Sequence, residues 1–86
     1  MTVTQLRTDL RKKKPVMGAK RTLKLLKIGN LEKVYIAKNC REDIRKDIEH
    51  YAELANVELI KLDITNDELG VVCKKPFNIS VLSFEK

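Results

Sequence analysis

Val16-Met17-Gly18-Ala19-Lys20-Arg21-Thr22-Leu23-Lys24 is the stretch on which the fold turns. Val16-Met17 is a short apolar pair that follows Pro15, a residue that stops any helix before it, and it reads as a strand. Gly18 ends that strand. Residues 20–28 (KRTLKLLKI) then place Leu25, Ile28 and either Leu23 or Leu26 on one stripe. Lys20, Lys24 and Lys27 fall on the opposite face. This is the pattern of an amphipathic helix, and Gly29-Asn30 closes it.

The same alternation extends in both directions. Upstream, residues 4–13 (TQLRTDLRKK) put Leu6 and Leu10 four apart on one helix face, with Thr4 as the expected N-cap. Downstream, Lys33 to Ala37 (KVYIA) reads as a buried strand with β-branched and aromatic residues. Residues 41–55 (REDIRKDIEHYAELA) repeat Ile44, Ile48, Tyr51 and Leu54 or Ala55 at helical spacing, which leaves acids, bases and His50 outside. Val57 to Leu62 reads as a third strand. Thr65 heads T-N-D-E, a capping box with Glu68, and predicts a helix to about Cys73. Asn78 to Phe84 (NISVLSF) is the last strand, with Ile79, Val81 and Leu82 as candidates for burial. The order αβαβαβαβ predicts an α/β fold, a sheet with helices on both faces. Parallel neighbours in it require right-handed crossovers. Ligands of such sheets bind at one rim, where loops meet helix N-termini.

Composition limits what that fold can do. With 86 residues, the chain has mass for one domain, spanning 1–86, and one modest core. At 43% hydrophobic and 35% charged residues it is a globular sequence, not a disordered tail. No apolar run approaches the ~20 residues of a membrane span, and no signal-like apolar segment opens the chain, so no membrane partner is expected. Cys40 and Cys73 lack the spacing of a metal site or a disulfide framework and read as small packed hydrophobes. No cofactor or metal is expected. A single histidine and no nucleophile–base pair argue against an enzyme or a small-molecule substrate.

The net charge of +6 is unevenly spread. Residues 1–29 hold nine basic side chains and only one acid, Asp9, whereas residues 30–69 hold six basic and ten acidic. A basic N-terminal third reads as a pole that meets phosphate. The turn at Gly18 gives that pole a place to act. Glycine lets a backbone come close to a ligand. The helix after it offers free N–H donors and a positive dipole end, and Lys20 and Lys24 share a side.

These residues carry a resemblance. Residues 16–24 resemble the opening motif of the kink-turn RNA-binding family of ribosomal proteins. Later blocks agree in order: Val34-Tyr35-Ile36-Ala37-Lys38-Asn39, Asp47-Ile48-Glu49-His50-Tyr51-Ala52, Asn66-Asp67-Glu68-Leu69-Gly70 and Lys75-Pro76-Phe77. The resemblance runs from about Leu6 to Phe84 and is nearest to the L-thirty-e branch of the L-seven-Ae superfamily. It implies a three-layer α/β/α sandwich around a mixed four-stranded sheet. It also implies a structural role in the large ribosomal subunit, in the cytoplasm. The implied partners are a kink-turn in ribosomal RNA and neighbouring ribosomal proteins.

By position in these motifs, Gly18 lets the backbone approach the RNA, and Lys20 reaches a guanine edge or phosphate. Arg21 and Lys24 contact backbone, and Ala19 and Lys75 complete the implied RNA-binding set. Asn39 hydrogen-bonds a base edge or caps the helix that follows it. Phe77 stacks on an extruded nucleotide or anchors its loop. Many members have Asn-Glu where this chain has Lys20-Arg21. The branch usually has Gly where Lys74 stands, so either Lys74 takes a left-handed conformation or the loop differs. Gly70, inside a helix pattern, reads as a close-packing position.

Other readings of the sequence are a component of a different RNA–protein particle and an autoregulatory messenger binder. Outside that class stand a non-specific nucleic-acid-compacting protein and an adaptor that uses the 41–55 helix.

Overall fold

Apolar alternation on the strands and helical spacing between them determine which side of the sheet each element covers. The structure, a computed structural model, describes residues 2–86. The elements are α1 (Thr2–Lys12), β1 (Val16–Met17), α2 (Ala19–Ile28), β2 (Leu31–Ile36), α3 (Glu42–Leu54), β3 (Glu58–Lys61), α4 (Asn66–Val72) and β4 (Val81–Glu85). The expected αβαβαβαβ order therefore holds, with the element ends shifted. The sheet runs β1-β4-β2-β3. β4 inserts antiparallel between β1 and β2, and only β2 and β3 are parallel. It is a mixed four-stranded sheet.

Period-two alternation on the central strands gives each face its own core. On one face Tyr35, Leu82 and Phe84 pack with Leu6 of α1 and Leu69 of α4. On the other Val34, Ile36 and Val81 pack with Leu26 of α2 and with Ile48 and Ala52 of α3. A register shift between Leu31 and Lys33 lets Leu31 join Val34 on the second face, although an even alternation would separate them. Helix pairs α1/α4 and α2/α3 thus sandwich the sheet. Cys40 packs in one core and Cys73 against the other, both as free thiols, and burial pushes both thiols up from their ordinary pKa.

Three helices end the same way. Gly29, Asn56 and Lys74 have φ of 73°, 56° and 59°. In each case the residue after it donates back across the last turn: Asn30 to the Leu25 carbonyl, Val57 to Ala52 and Lys75 to Gly70. These are Schellman closures. Lys74 takes the left-handed conformation that its glycine-like position demands.

The structure also corrects several expectations. Thr4 lies inside α1, where its carbonyl accepts from the Thr8 hydroxyl, and does not cap it. Ile28 is exposed because α2 closes there, and in α3 it is Ala52, not Leu54, that enters the core. The last strand begins at Val81. Residues 78–80 are diverted by bonds from the Ile79 amide to the Asn66 carbonyl and from the Ala37 amide to the Ser80 carbonyl. The basic N-terminal third does not form one pole either. Lys13 reaches Glu32 and the Glu85 carbonyl at the end of the sheet away from Gly18, and Asp9 binds Lys33 and Tyr35.

Candidate nucleic-acid interface

One rim of the sheet gathers the loops that carry the motif residues. β1, β2 and β3 all end there, and β4 begins there. The Gly18 amide donates to the Val81 carbonyl at 3.0 Å, and the Ala37 amide donates to the Ser80 carbonyl at 2.8 Å. Gly18 and Ala37 therefore flank the start of β4, two strand spacings or roughly 10 Å apart. The Leu62 amide donates to the Ile36 carbonyl, and the Lys38 amide to the Ile64 carbonyl, which holds the β3–α4 loop on the same rim. The N-termini of α2, α3 and α4 all open onto it.

Gly18 is the hinge of the β1–α2 loop. Its φ of 105° lies in the region that disfavours side chains, and a Cβ built there would meet nothing within 4 Å. The need for glycine is thus conformational, and the side without a Cβ is open space. The Thr22 amide returns to the Gly18 carbonyl at 3.2 Å to start the helix. Thr22 also fixes the helix from below: its fully buried hydroxyl lies 3.0 Å from that of Ser83, which is also fully buried. Buried hydroxyls need such a partner. With Thr22 turned into the sheet, Lys20, Arg21 and Lys24 are left exposed and Ala19 packs partly against the core.

The three helix N-termini differ in charge. α3 begins with Glu42 and Asp43, and α4 with Asp67 and Glu68, which suits the positive end of each helix dipole. α2 has no acid in its first turn and no side-chain cap, and carries Lys20 and Arg21 instead. Cations at this end oppose the dipole by a few tenths to ~1 kcal/mol each. An anion placed there is attracted by dipole, N–H groups and side chains together. Lys27, further along α2, is occupied over the Tyr51 ring at 5.2 Å.

Asn39 is exposed on the β2–α3 loop, and both ends of its amide are engaged. Its Oδ1 accepts from the Asn66 amide at 2.8 Å, and its Nδ2 donates to Asn66 Oδ1 at 3.2 Å. It caps α4, not the helix that follows it. The N-cap of α3 is Arg41, which makes no side-chain cap bond. The expected capping box at Thr65 does not form: the Thr65 hydroxyl makes no cap bond and instead bonds the Asp67 and Glu68 carboxylates, which, with the Glu68 amide, holds Asp67 below the usual carboxylate range. An amide has two N–H groups and two lone pairs on its oxygen, so Asn39 keeps one donor for a ligand. Asn66, which orients Asn39, stands in one of the family blocks, but its spacing from Asn39 gives no sign that the two pair.

Lys75 and Phe77 lie on the exposed α4–β4 loop, and Phe77 is 53% exposed. The loop is pinned at Gly70, where a Cβ would sit 2.2 Å from the Phe77 carbonyl oxygen. That close approach, with the Ile79–Asn66 bond, presents the Phe77 region beside Asn39. Gly18, Ala19, Lys20, Arg21, Lys24, Asn39 and Phe77 therefore reach this rim or the helix rising from it, whereas Lys75, beside the C-terminal closure of α4, faces the cations of α1.

The sequence matches the model of the Ribosomal protein L7Ae/L30e/S12e/Gadd45 family over residues 3–86. The chain belongs to this family. Among family relatives, the large ribosomal subunit protein eL30 of Sulfurisphaera tokodaii is 39% identical over 79 residues, 92% of this chain and 74% of the relative. The eL30 protein of Methanocaldococcus jannaschii is 39% identical over 77 residues, covering 90% and 70%. A solved structure of a Bacillus halodurans protein of unknown function superposes with a TM-score of 0.78 at 13% identity, over 98% of this chain and 81% of that one. At that identity the likeness speaks for the fold alone.

Proposed function

We propose that the chain is a structural protein of the large ribosomal subunit, acting in the cytoplasmic ribosome as one RNA-binding domain, residues 1–86, that holds a kink-turn in ribosomal RNA. The observation that carries this reading is the rim. A helix N-terminus with cations and no acid, a capping amide with one free donor and an exposed phenylalanine occupy adjacent loops of one sheet edge. The archaeal relatives named as large-subunit proteins support the ribosomal setting. Lys20 reads a guanine edge or phosphate near the start of α2. Arg21, Lys24 and Lys75 position the backbone, and Gly18 and Ala19 give it room. Asn39 donates to a base edge. Phe77 offers a face to an unstacked nucleotide, the means by which RNA bulges are read. The role is one of binding and shaping RNA beside neighbouring ribosomal proteins, without catalysis.

Lys20→Ala and Phe77→Ala test the reading one contact at a time. Each is expected to weaken binding to a kink-turn RNA by ~1–3 kcal/mol, with the melting temperature unchanged. Full affinity in both variants would remove these residues from the interface.

A further inference from the structure

On the α1/α4 face, reaching Pro15 and Met17 of the β1 edge, lies a groove of about 610 Å³. Its edges carry Arg7, Arg11 and Lys14 on one side and Lys74 and Lys75 on the other, and no acidic side chain lines it. Its floor is apolar, with Leu10, Val71 and Val72, and Val71 is 74% exposed. Two features of this groove are unexplained by the rim. The first is five cations on facing edges, none of which forms an ion pair among the described residues. The second is a large aliphatic side chain left in solvent at the centre of that positive field.

We infer that this groove is a second RNA subsite that takes an unpaired strand leaving the kink-turn, with phosphates on the two basic edges and riboses or bases on the aliphatic floor. The inference rests on the rim being an RNA site. Continuity supports it: Lys75 lines the groove and stands two residues before Phe77 in the same loop, so the groove adjoins the loop that carries the rim phenylalanine. Charge complementarity supports it too. Five cations on two facing edges attract a polyanion, and a strand with regularly spaced phosphates meets both edges at once. An acidic protein segment would need the same charges but would leave the link to the rim loop without purpose.

The test uses two RNAs and two proteins. One RNA is a minimal kink-turn duplex, and the other is the same duplex with a short unpaired tail on either strand. The proteins are the wild type and R7Q/R11Q/K14Q, whose substituted side chains are exposed and lie outside the rim. For the wild type, the tailed RNA is expected to bind about tenfold more tightly, and the variant loses that gain while keeping its affinity for the minimal RNA. The salt slope for the tailed RNA falls by about 2 in the variant, the effect of three released phosphate contacts on a single strand. If the tail adds nothing for the wild type while the minimal RNA binds, the groove assignment fails and the rim reading stands. If the wild type binds neither RNA, the rim reading fails and takes this inference with it. If both RNA affinities are unchanged in the variant and a short oligoglutamate peptide shifts the α1 amide resonances of the wild type, the groove belongs to a protein and the inference is overturned.

Discussion

At the scale of single residues, backbone conformation does much of the work usually credited to side chains. Lys74 is held at φ 59° to close α4. A left-handed conformation costs a residue with a Cβ about 1–2 kcal/mol, whereas glycine is more costly to order from the unfolded chain by about 0.5–1 kcal/mol. The first effect is the larger. Lys74→Gly is therefore expected to raise the thermal midpoint by a few degrees, and a calorimetric scan checks it. A lower midpoint would mean that Lys74 makes a compensating contact. Gly70 has the opposite sign. An alanine in a helix interior gains up to ~1 kcal/mol in propensity, but this one would put a methyl 2.2 Å from the backbone carbonyl of Phe77. Backbone cannot step aside as a flexible side chain does. Gly70→Ala should lower urea-unfolding stability by about 1–3 kcal/mol and weaken RNA binding through the displaced Phe77 loop. A stabilised variant would refute the close approach.

At the scale of elements, the strand, helix and loop order was legible because each apolar pattern has only one period that fits it. Val16-Met17, Leu23, Leu25 and Leu26 of the 20–28 stripe and the Ile44–Ile48–Tyr51 face stand where their spacing places them, whereas Ile28 lies exposed where α2 closes. The errors lie where a distant residue decides. β4 starts at Val81, not Asn78, because hydrogen bonds to Asn66 and Ala37 capture residues 79 and 80. Thr65 makes no cap bond, and the side chain that caps α4 is that of Asn39, 26 residues before it. The bulge that turns Leu31 inward depends on its pairing with β4, which local sequence does not record. For the site, residue types and loops were legible, but Asn66 as the partner of Asn39 and Ser83 as the partner of Thr22 were not. Both partners are small polar residues whose roles arise only when the chain closes. Asn39→Ala should accordingly cost about 1 kcal/mol of stability in addition to any loss of RNA affinity, since it uncaps α4. A melt of the free protein separates the two effects.

At the scale of the whole molecule, the two faces of the sheet have different duties. The α2/α3 side carries the basic helix start. The α1/α4 side carries a polar lock: Asp9 accepts from the Tyr35 hydroxyl at 2.5 Å and from Lys33 at 3.2 Å, which ties α1 to the central strand. Burial at Asp9 opposes ionisation, but the hydrogen bonds from Tyr35 and Lys33 together outweigh it and hold its carboxyl below the ordinary value of 3.8. Burial, and then the adjacent carboxylate, push the Tyr35 phenol far up. For a lowered acid the stabilisation is complete above the unfolded value and fades as pH falls from there through the folded value. The wild type should therefore exceed Asp9→Asn by about 1–2 kcal/mol at neutral pH, and the gap should close below about pH 3.8, as urea titrations across pH would read it. A gap that persists in acid would assign the lock to packing instead of charge.

The charge distribution reads differently at this scale than along the chain. Of the nine cations of the first 29 residues, Lys20, Arg21 and Lys24 lie at the rim, Arg7, Arg11 and Lys14 line the groove, Lys13 pairs with Glu32 and Lys27 lies over Tyr51; only the rim carries the motif. Recognition of a bent RNA at that rim is the central claim. Its most direct test is a gel-shift titration of the wild-type protein against a kink-turn RNA and against the same RNA with its G·A pairs made Watson–Crick. The kink-turn should bind more tightly by on the order of a hundredfold, the product of two contacts of ~1–3 kcal/mol each. Equal affinity for the two RNAs would contradict it.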